Sequence, residues 1–99
     1  MKNFNIRVEI IHDANAKDYA DLHQRMSSAG FGTVIRFKNG QSAHLPPAEY
    51  VYSTAAAETA ISVRDKAGAV VSTGLRAGLS FRLYVVEFVD WATHNLIAA

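Results

Sequence analysis

From Phe4 to Ile10 the chain reads Phe-Asn-Ile-Arg-Val-Glu-Ile, a strict alternation of apolar and polar side chains. Successive side chains of a strand point to opposite faces, so this stretch demands a sheet with Phe4, Ile6, Val8 and Ile10 turned inward and the polar set turned out. The period then changes. Between Asn15 and Ala29, residues Tyr19, Leu22, Met26 and Ala29 recur at spacings of three and four, which makes one helical stripe, and Gly30 stands where a helix end favours glycine.

Alternation returns from Phe31 to Lys38, with Ile35 and Phe37 on one face and Val34, Arg36 and Lys38 on the other. Asn39-Gly40 suits a type I′ hairpin turn with both residues at positive φ, and Gln41 to Leu45 starts the return. Pro46 and Pro47 have no N–H for a ladder, so they interrupt or edge the sheet. Glu49 to Ser53 resumes it, Tyr50 and Tyr52 on one face and Val51 on the other. Ser53 or Thr54 is expected to cap a second helix whose inner side is Ala57, Ala60, Ile61, Arg64, Ala67 and Val71, ending by Gly74. Ser80 to Val89 is the last strand, with Phe81, Leu83 and Val85 opposing Arg82, Tyr84 and Val86. Asp90 to Ile97 reads equally as a short helix, with Trp91 and Leu96 covering an edge, or as a strand extension. The element order βαββαβ predicts one α+β domain over residues 1–99 of ferredoxin-like type, an antiparallel four-stranded sheet with two helices on one face. Its expected core is Ile6, Val8, Ile10, Leu22, Met26, Ile35, Phe37, Ile61, Phe81 and Leu83.

Composition narrows the function classes. A chain of 99 residues that is 49% hydrophobic can bury a single compact core. No apolar run approaches the ~20 residues a bilayer span needs, and no leader pattern opens the chain, so the expectation is a cytoplasmic protein with no membrane partner. The absence of cysteine removes disulfides, thiolate zinc sites and cysteine nucleophiles. A net charge of +1 argues against a strongly basic nucleic-acid binder and leaves room for a local basic face. No DNA partner is expected.

That basic face is expected on the open side of the sheet, where Arg7, Arg36, Lys38, Arg82 and Tyr84 gather, joined by Tyr50 and Tyr52. Cations interleaved with tyrosines suit single-stranded RNA, pairing phosphates and stacking bases. The same residues also serve as ordinary cross-strand neighbours, or with Val34 and Val86 as a homodimer interface. His12, His23, His44 and His94 show no metal-ligand spacing, so neither a metal nor another cofactor is expected. His12-Asp13 stands where the first strand meets the first helix, a place for a general base facing a phosphodiester or for a carboxylate holding Mg²⁺, and more simply for Asp13 to cap or precede the helix.

The strand closing on Asp13, the helix through "LHQRMSSAGF", the hairpin, the "STAAAETA" junction and the late "VEFVDW" with its polar tail resemble GhoS, the endoribonuclease antitoxin family of type V toxin–antitoxin systems. The resemblance covers nearly the whole chain. It is similar in turn to the small CRISPR-associated and VapD-like ferredoxin-fold nucleases. What it implies is an endoribonuclease that cleaves a toxin's mRNA, with the helix-one arginine, Arg25 here, stabilising the scissile phosphate. Arginine stays protonated, so His12 or His23 would move the proton, beside Asp13. The alternative class is a non-catalytic ferredoxin-like module that pairs with itself or another protein through the open sheet face.

Overall fold

The computed structural model describes all 99 residues. Its elements are β1 (Lys2–Ile11), α1 (Ala16–Ser28), β2 (Val34–Arg36), β3 (Ser42–His44), β4 (Glu49–Thr54), α2 (Ala60–Thr73) and β5 (Ser80–Phe88). β1 is the centre of a three-stranded antiparallel sheet in the order β4-β1-β5, and β2 and β3 form a separate two-stranded ribbon. The expected continuous four-stranded sheet is therefore not what forms. β2 and β3 pair with each other over three residues each, and the chain before β2 meets β4 only at Gly32 and Val51, whose amides and carbonyls exchange bonds of 2.9 and 2.8 Å. Pro46 and Pro47 donate nothing, and Ala48 turns the chain at φ 64°, so the ribbon peels away before β4 begins.

The alternation of β1 is realised. Phe4, Ile6, Val8 and Ile10 share one buried cluster with Leu22 and Met26 of α1, with Val63, Ala67 and Val71 of α2, and with Phe31 and Tyr50. Ile35 is buried apart from this cluster, as is Ala43 on the facing strand, while Phe37 packs against Trp91 with ring centroids 5.4 Å apart. Phe81 and Leu83 are only partly buried against the core.

Both helices begin with reciprocal capping. Asn15 accepts from the Asp18 amide at 3.0 Å while Asp18 accepts from the Asn15 amide at 2.8 Å. In α2 the cap is Thr59, which exchanges bonds of 3.1 and 2.9 Å with Ser62. The expected cap at Ser53 or Thr54 is thus displaced, because Thr54 spends its hydroxyl on the Ala56 amide in the preceding turn at 3.0 Å. The later start rotates the inner stripe to Val63, Ala67 and Val71, and Ile61, expected in the core, is 63% exposed.

Three local expectations change with the backbone. At the hairpin Gly40 alone has positive φ, 88°, and its amide closes onto the Phe37 carbonyl at 3.0 Å, so the connection is a three-residue loop ending in a left-handed glycine rather than a type I′ turn. Tyr50 and Tyr52 stand opposite Ile6 and Phe4 in the β1–β4 register and so share their inward face. After β5 the tail forms no helix. It runs back along the ribbon, where the His44 amide reaches the Ile97 carbonyl at 2.8 Å and the Ala99 amide reaches Ser42 at 3.0 Å. No helix is long and apolar enough to cross a membrane.

Candidate functional site

The outward side chains of the three-stranded sheet follow from its register: Asn3, Asn5, Arg7 and Glu9 on β1, Glu49, Val51 and Ser53 on β4, and Arg82, Tyr84, Val86 and Phe88 on β5. The ribbon and the tail stand over one end of this face and leave a cleft. One part, of about 800 Å³, lies between Asn3, Val51, Ser53 and Phe88 on the sheet, Arg36, Phe37 and Lys38 on the ribbon side, and Trp91 on the tail. A second part, of about 430 Å³, continues past Asn5 and Glu49 to Leu45, Pro46, His94 and Leu96. The two share Ile35, Phe88, Asp90 and Trp91, so they are neighbouring compartments of one passage. Volumes of this order suit small-molecule or nucleotide-sized ligands.

Charge is distributed unevenly along this surface. Arg82 is paired with Glu9 at 2.9 Å, both side chains well exposed, whereas Arg7, Arg36 and Lys38 take part in no salt bridge. Arg36 points with Val34 away from buried Ile35, and Lys38 is exposed in the loop that follows, so the ribbon offers two unpaired cations beside the Phe37–Trp91 pair. The polar floor is partly spoken for: the Ser53 hydroxyl donates to Asn3 Oδ1 at 2.7 Å and the Asn5 amide donates to the Tyr50 carbonyl at 3.2 Å.

The residues expected to be catalytic lie elsewhere, on the helix side, and are not brought together. Arg25 donates through Nε to the Val70 carbonyl at 3.4 Å and through Nη2 to the Val71 carbonyl at 3.0 Å, closing the last turn of α2. His23, two residues earlier on α1, faces β4 instead, because positions i and i+2 do not share a helix face. Its Nδ1 lies 2.5 Å from the Tyr50 hydroxyl. Burial holds the His23 imidazole below its ordinary range and pushes the Tyr50 phenol well above its own, so both groups stay neutral and share one hydrogen bond whose direction follows the imidazole tautomer. His12 and Asp13 sit exposed at φ 73° and 66° in the turn after β1. That turn is held by Arg76, which donates to the Asp13 carbonyl at 3.3 Å and to the Asp18 carboxylate at 3.0 Å; the guanidinium keeps Asp18 below the usual carboxylate range.

The two β4 tyrosines expected to stack on RNA are committed inside. Tyr50 is fully buried, and Tyr52 packs on Phe31 with centroids 4.9 Å apart. The Tyr52 hydroxyl donates to Glu58 at 2.6 Å, and Lys66 donates to both, at 2.9 and 3.3 Å, which fastens the start of α2 to β4. No cluster of three or more His, Asp or Glu side chains is placed to hold a metal ion.

The sequence alternation sets Arg36 and Lys38 on an exposed face, but it carries no signal for Phe37, Phe88, Trp91 and His94 as lining. Trp91 follows β5 without any periodicity, and only the folding back of the tail sets it beside Phe37. Fold and site together define an α+β protein with a partly roofed, aromatic-walled cleft on the outer face of its sheet, with Arg36 and Lys38 on its ribbon side and Glu49 and Asp90 on its sheet and tail sides. Comparisons with protein-family models, curated proteins and solved structures found no match.

Proposed function

We propose that the chain binds single-stranded RNA in this cleft, as a GhoS-like protein of the ferredoxin-like βαββαβ class. The observation that carries the reading is the adjacency of two unpaired cations, Arg36 and Lys38, to the half-buried Phe37 and the more open Trp91 that line a nucleotide-sized passage. Single strands are held by this pairing of chemistry: cations track the phosphates, and aromatic faces accept bases regardless of sequence. Arg7, on the outward face of the central strand β1, extends the track along the open sheet. The ferredoxin-like assignment is supported by the Gly32–Val51 bridge, which sets the segment before β2 at the free edge of β4. The resemblance to GhoS makes a messenger RNA in the cytoplasm the natural target.

Binding, rather than cleavage by the helix-side residues, is the activity this geometry favours. Arg25 and His23 already hold the α2 carbonyls and Tyr50, and neither reaches His12 or Asp13. The test is fluorescence anisotropy of a labelled single-stranded RNA at about 50 and 200 mM salt. Two or three phosphate contacts on a single strand should weaken binding about tenfold over that range. Absent binding, or binding indifferent to salt, would overturn the proposal.

A further inference from the structure

β5 is an edge strand, and its free side is unusually well formed. The Val8 amide bonds to the Ala48 carbonyl at 3.0 Å, so the even residues of β1 direct their backbone groups to β4 and the odd residues direct theirs to β5. In the β1–β5 register the odd residues face Ser80, Arg82, Tyr84, Val86 and Phe88. The amides and carbonyls of Phe81, Leu83, Val85 and Glu87 therefore point outward, and no turn, loop or side chain of this protein bonds to them. Soluble proteins blunt such an edge with proline, lysine or a bulge. β5 contains neither residue, its register runs without a break from Ser80 to Phe88, and of its two charged side chains Arg82 is paired with Glu9, which leaves Glu87 alone near one end.

We propose that β5 pairs antiparallel with β5 of a second copy about a twofold axis at Tyr84, joining two three-stranded sheets into one of six. The strand is self-complementary about that point. Leu83 meets Val85 of the second copy, Phe81 meets Glu87, and all four outward residues on each side find ladder partners. On the open face Tyr84 stacks beside its own copy and Arg82 faces Val86, so no like charges oppose. The flank of α2 fits the same arrangement. A β-carbon at Gly68 would lie 3.7 Å from Leu83, which sets this helix face over β5, and Ile61 shares that face at a helical spacing of seven. The α2 start lies near the end of β5, because Lys2 reaches the Glu58 carbonyl at 2.8 Å and Asn3 pairs with Phe88. The twofold brings Phe81 of the second copy to this end, beside Ile61. Tyr84 and Ile61, 64% and 63% exposed in the single chain, are both covered by the pairing.

The experiment couples sedimentation with hydrogen exchange read by NMR across a concentration series. The expected result is a reversible monomer–dimer equilibrium in which the amides of Phe81, Leu83, Val85 and Glu87 gain protection with concentration, while those of Arg82, Tyr84 and Val86 are protected throughout. Tyr84→Lys, an exposed position, sets like charges on the axis and should raise the dissociation constant about tenfold or more. A monomer at every concentration overturns the proposal. So does a dimer whose odd-numbered β5 amides still exchange freely, or one that Tyr84→Lys leaves unchanged.

Discussion

A β-carbon at position 74 would lie 2.7 Å from Cδ of Arg25, so the bare backbone of Gly74 is what lets the Arg25 guanidinium lie across the end of α2 and hold the Val70 and Val71 carbonyls. Gly74 has φ −119°, which any residue adopts, so an alanine there acts through this contact alone and not through backbone strain. Gly74→Ala and Arg25→Ala should each cost about 1–2 kcal/mol, the usual contribution of a charged hydrogen bond at a helix end. Because both remove the same interaction, the double variant should cost less than the sum. Chemical denaturation of the four proteins measures this, and strict additivity would refute the shared role.

The His23–Tyr50 pair should make stability depend on pH. An unfolded imidazole takes up its proton near pH 6.5, and burial lowers the folded value below that. As pH falls through the interval between them, the unfolded chain binds more protons than the folded one, so stability declines with acidification and levels off below the folded value. Thermal melts from pH 7.5 to 5, about the range in which histidine titrates, should show this decline in the wild type and a shallower one in His23→Gln. Tyr50→Phe removes the hydroxyl bonded to Nδ1 and should cost about 1–2 kcal/mol at neutral pH.

The start of α2 gives a sharp mutational contrast. Thr59→Ala removes the cap that Ser62 completes and should cost about 1 kcal/mol, while Ser53→Ala, on the exposed end of β4, should stay within about 0.5 kcal/mol. Ile61→Ala should likewise be nearly neutral in the monomer, whereas Leu22→Ala should cost about 3 kcal/mol by opening a cavity in the main core. Equal losses from Ile61→Ala and Leu22→Ala would contradict the observed helix register.

These contrasts mark where the sequence was legible. β1 and α1 were, because each has one unambiguous period, although the cap of α1 is Asn15, closed by Asp18, and not Asp13, which lies in the turn before it. α2 was harder: Ser53, Thr54 and Thr59 all offer a hydroxyl, and only the reciprocal bonds with Ser62 select the last. In β4 the alternation of Tyr50 and Tyr52 with Val51 names two faces without saying which is inner, since either set can be buried; pairing with Ile6 and Phe4 decides it. The cleft was the least legible feature. Its cations come from a locally patterned ribbon, but its aromatic wall joins Phe37 to Trp91 through a tail with no period of its own.

Within the cleft, effects should separate by chemistry. Arg36→Ala and Lys38→Ala should each weaken RNA binding and reduce the magnitude of the salt slope by about one unit or less. Trp91→Ala should lower affinity by about 1–3 kcal/mol per base stacked while leaving the slope unchanged. Arg25→Ala, compared at a temperature where it remains folded, should leave affinity within about twofold, a change below 1 kcal/mol.

The most direct measurement is an NMR titration of the ¹⁵N-labelled protein with a short single-stranded RNA. The expected outcome is that the amides of Arg36, Phe37, Lys38 and Phe88 and the indole N–H of Trp91 shift together and saturate together, while Arg25 and the α1–α2 surface stay in place. Shifts confined to α1 and the turn at His12 and Asp13, or a spectrum that RNA leaves untouched, would contradict RNA binding in the cleft.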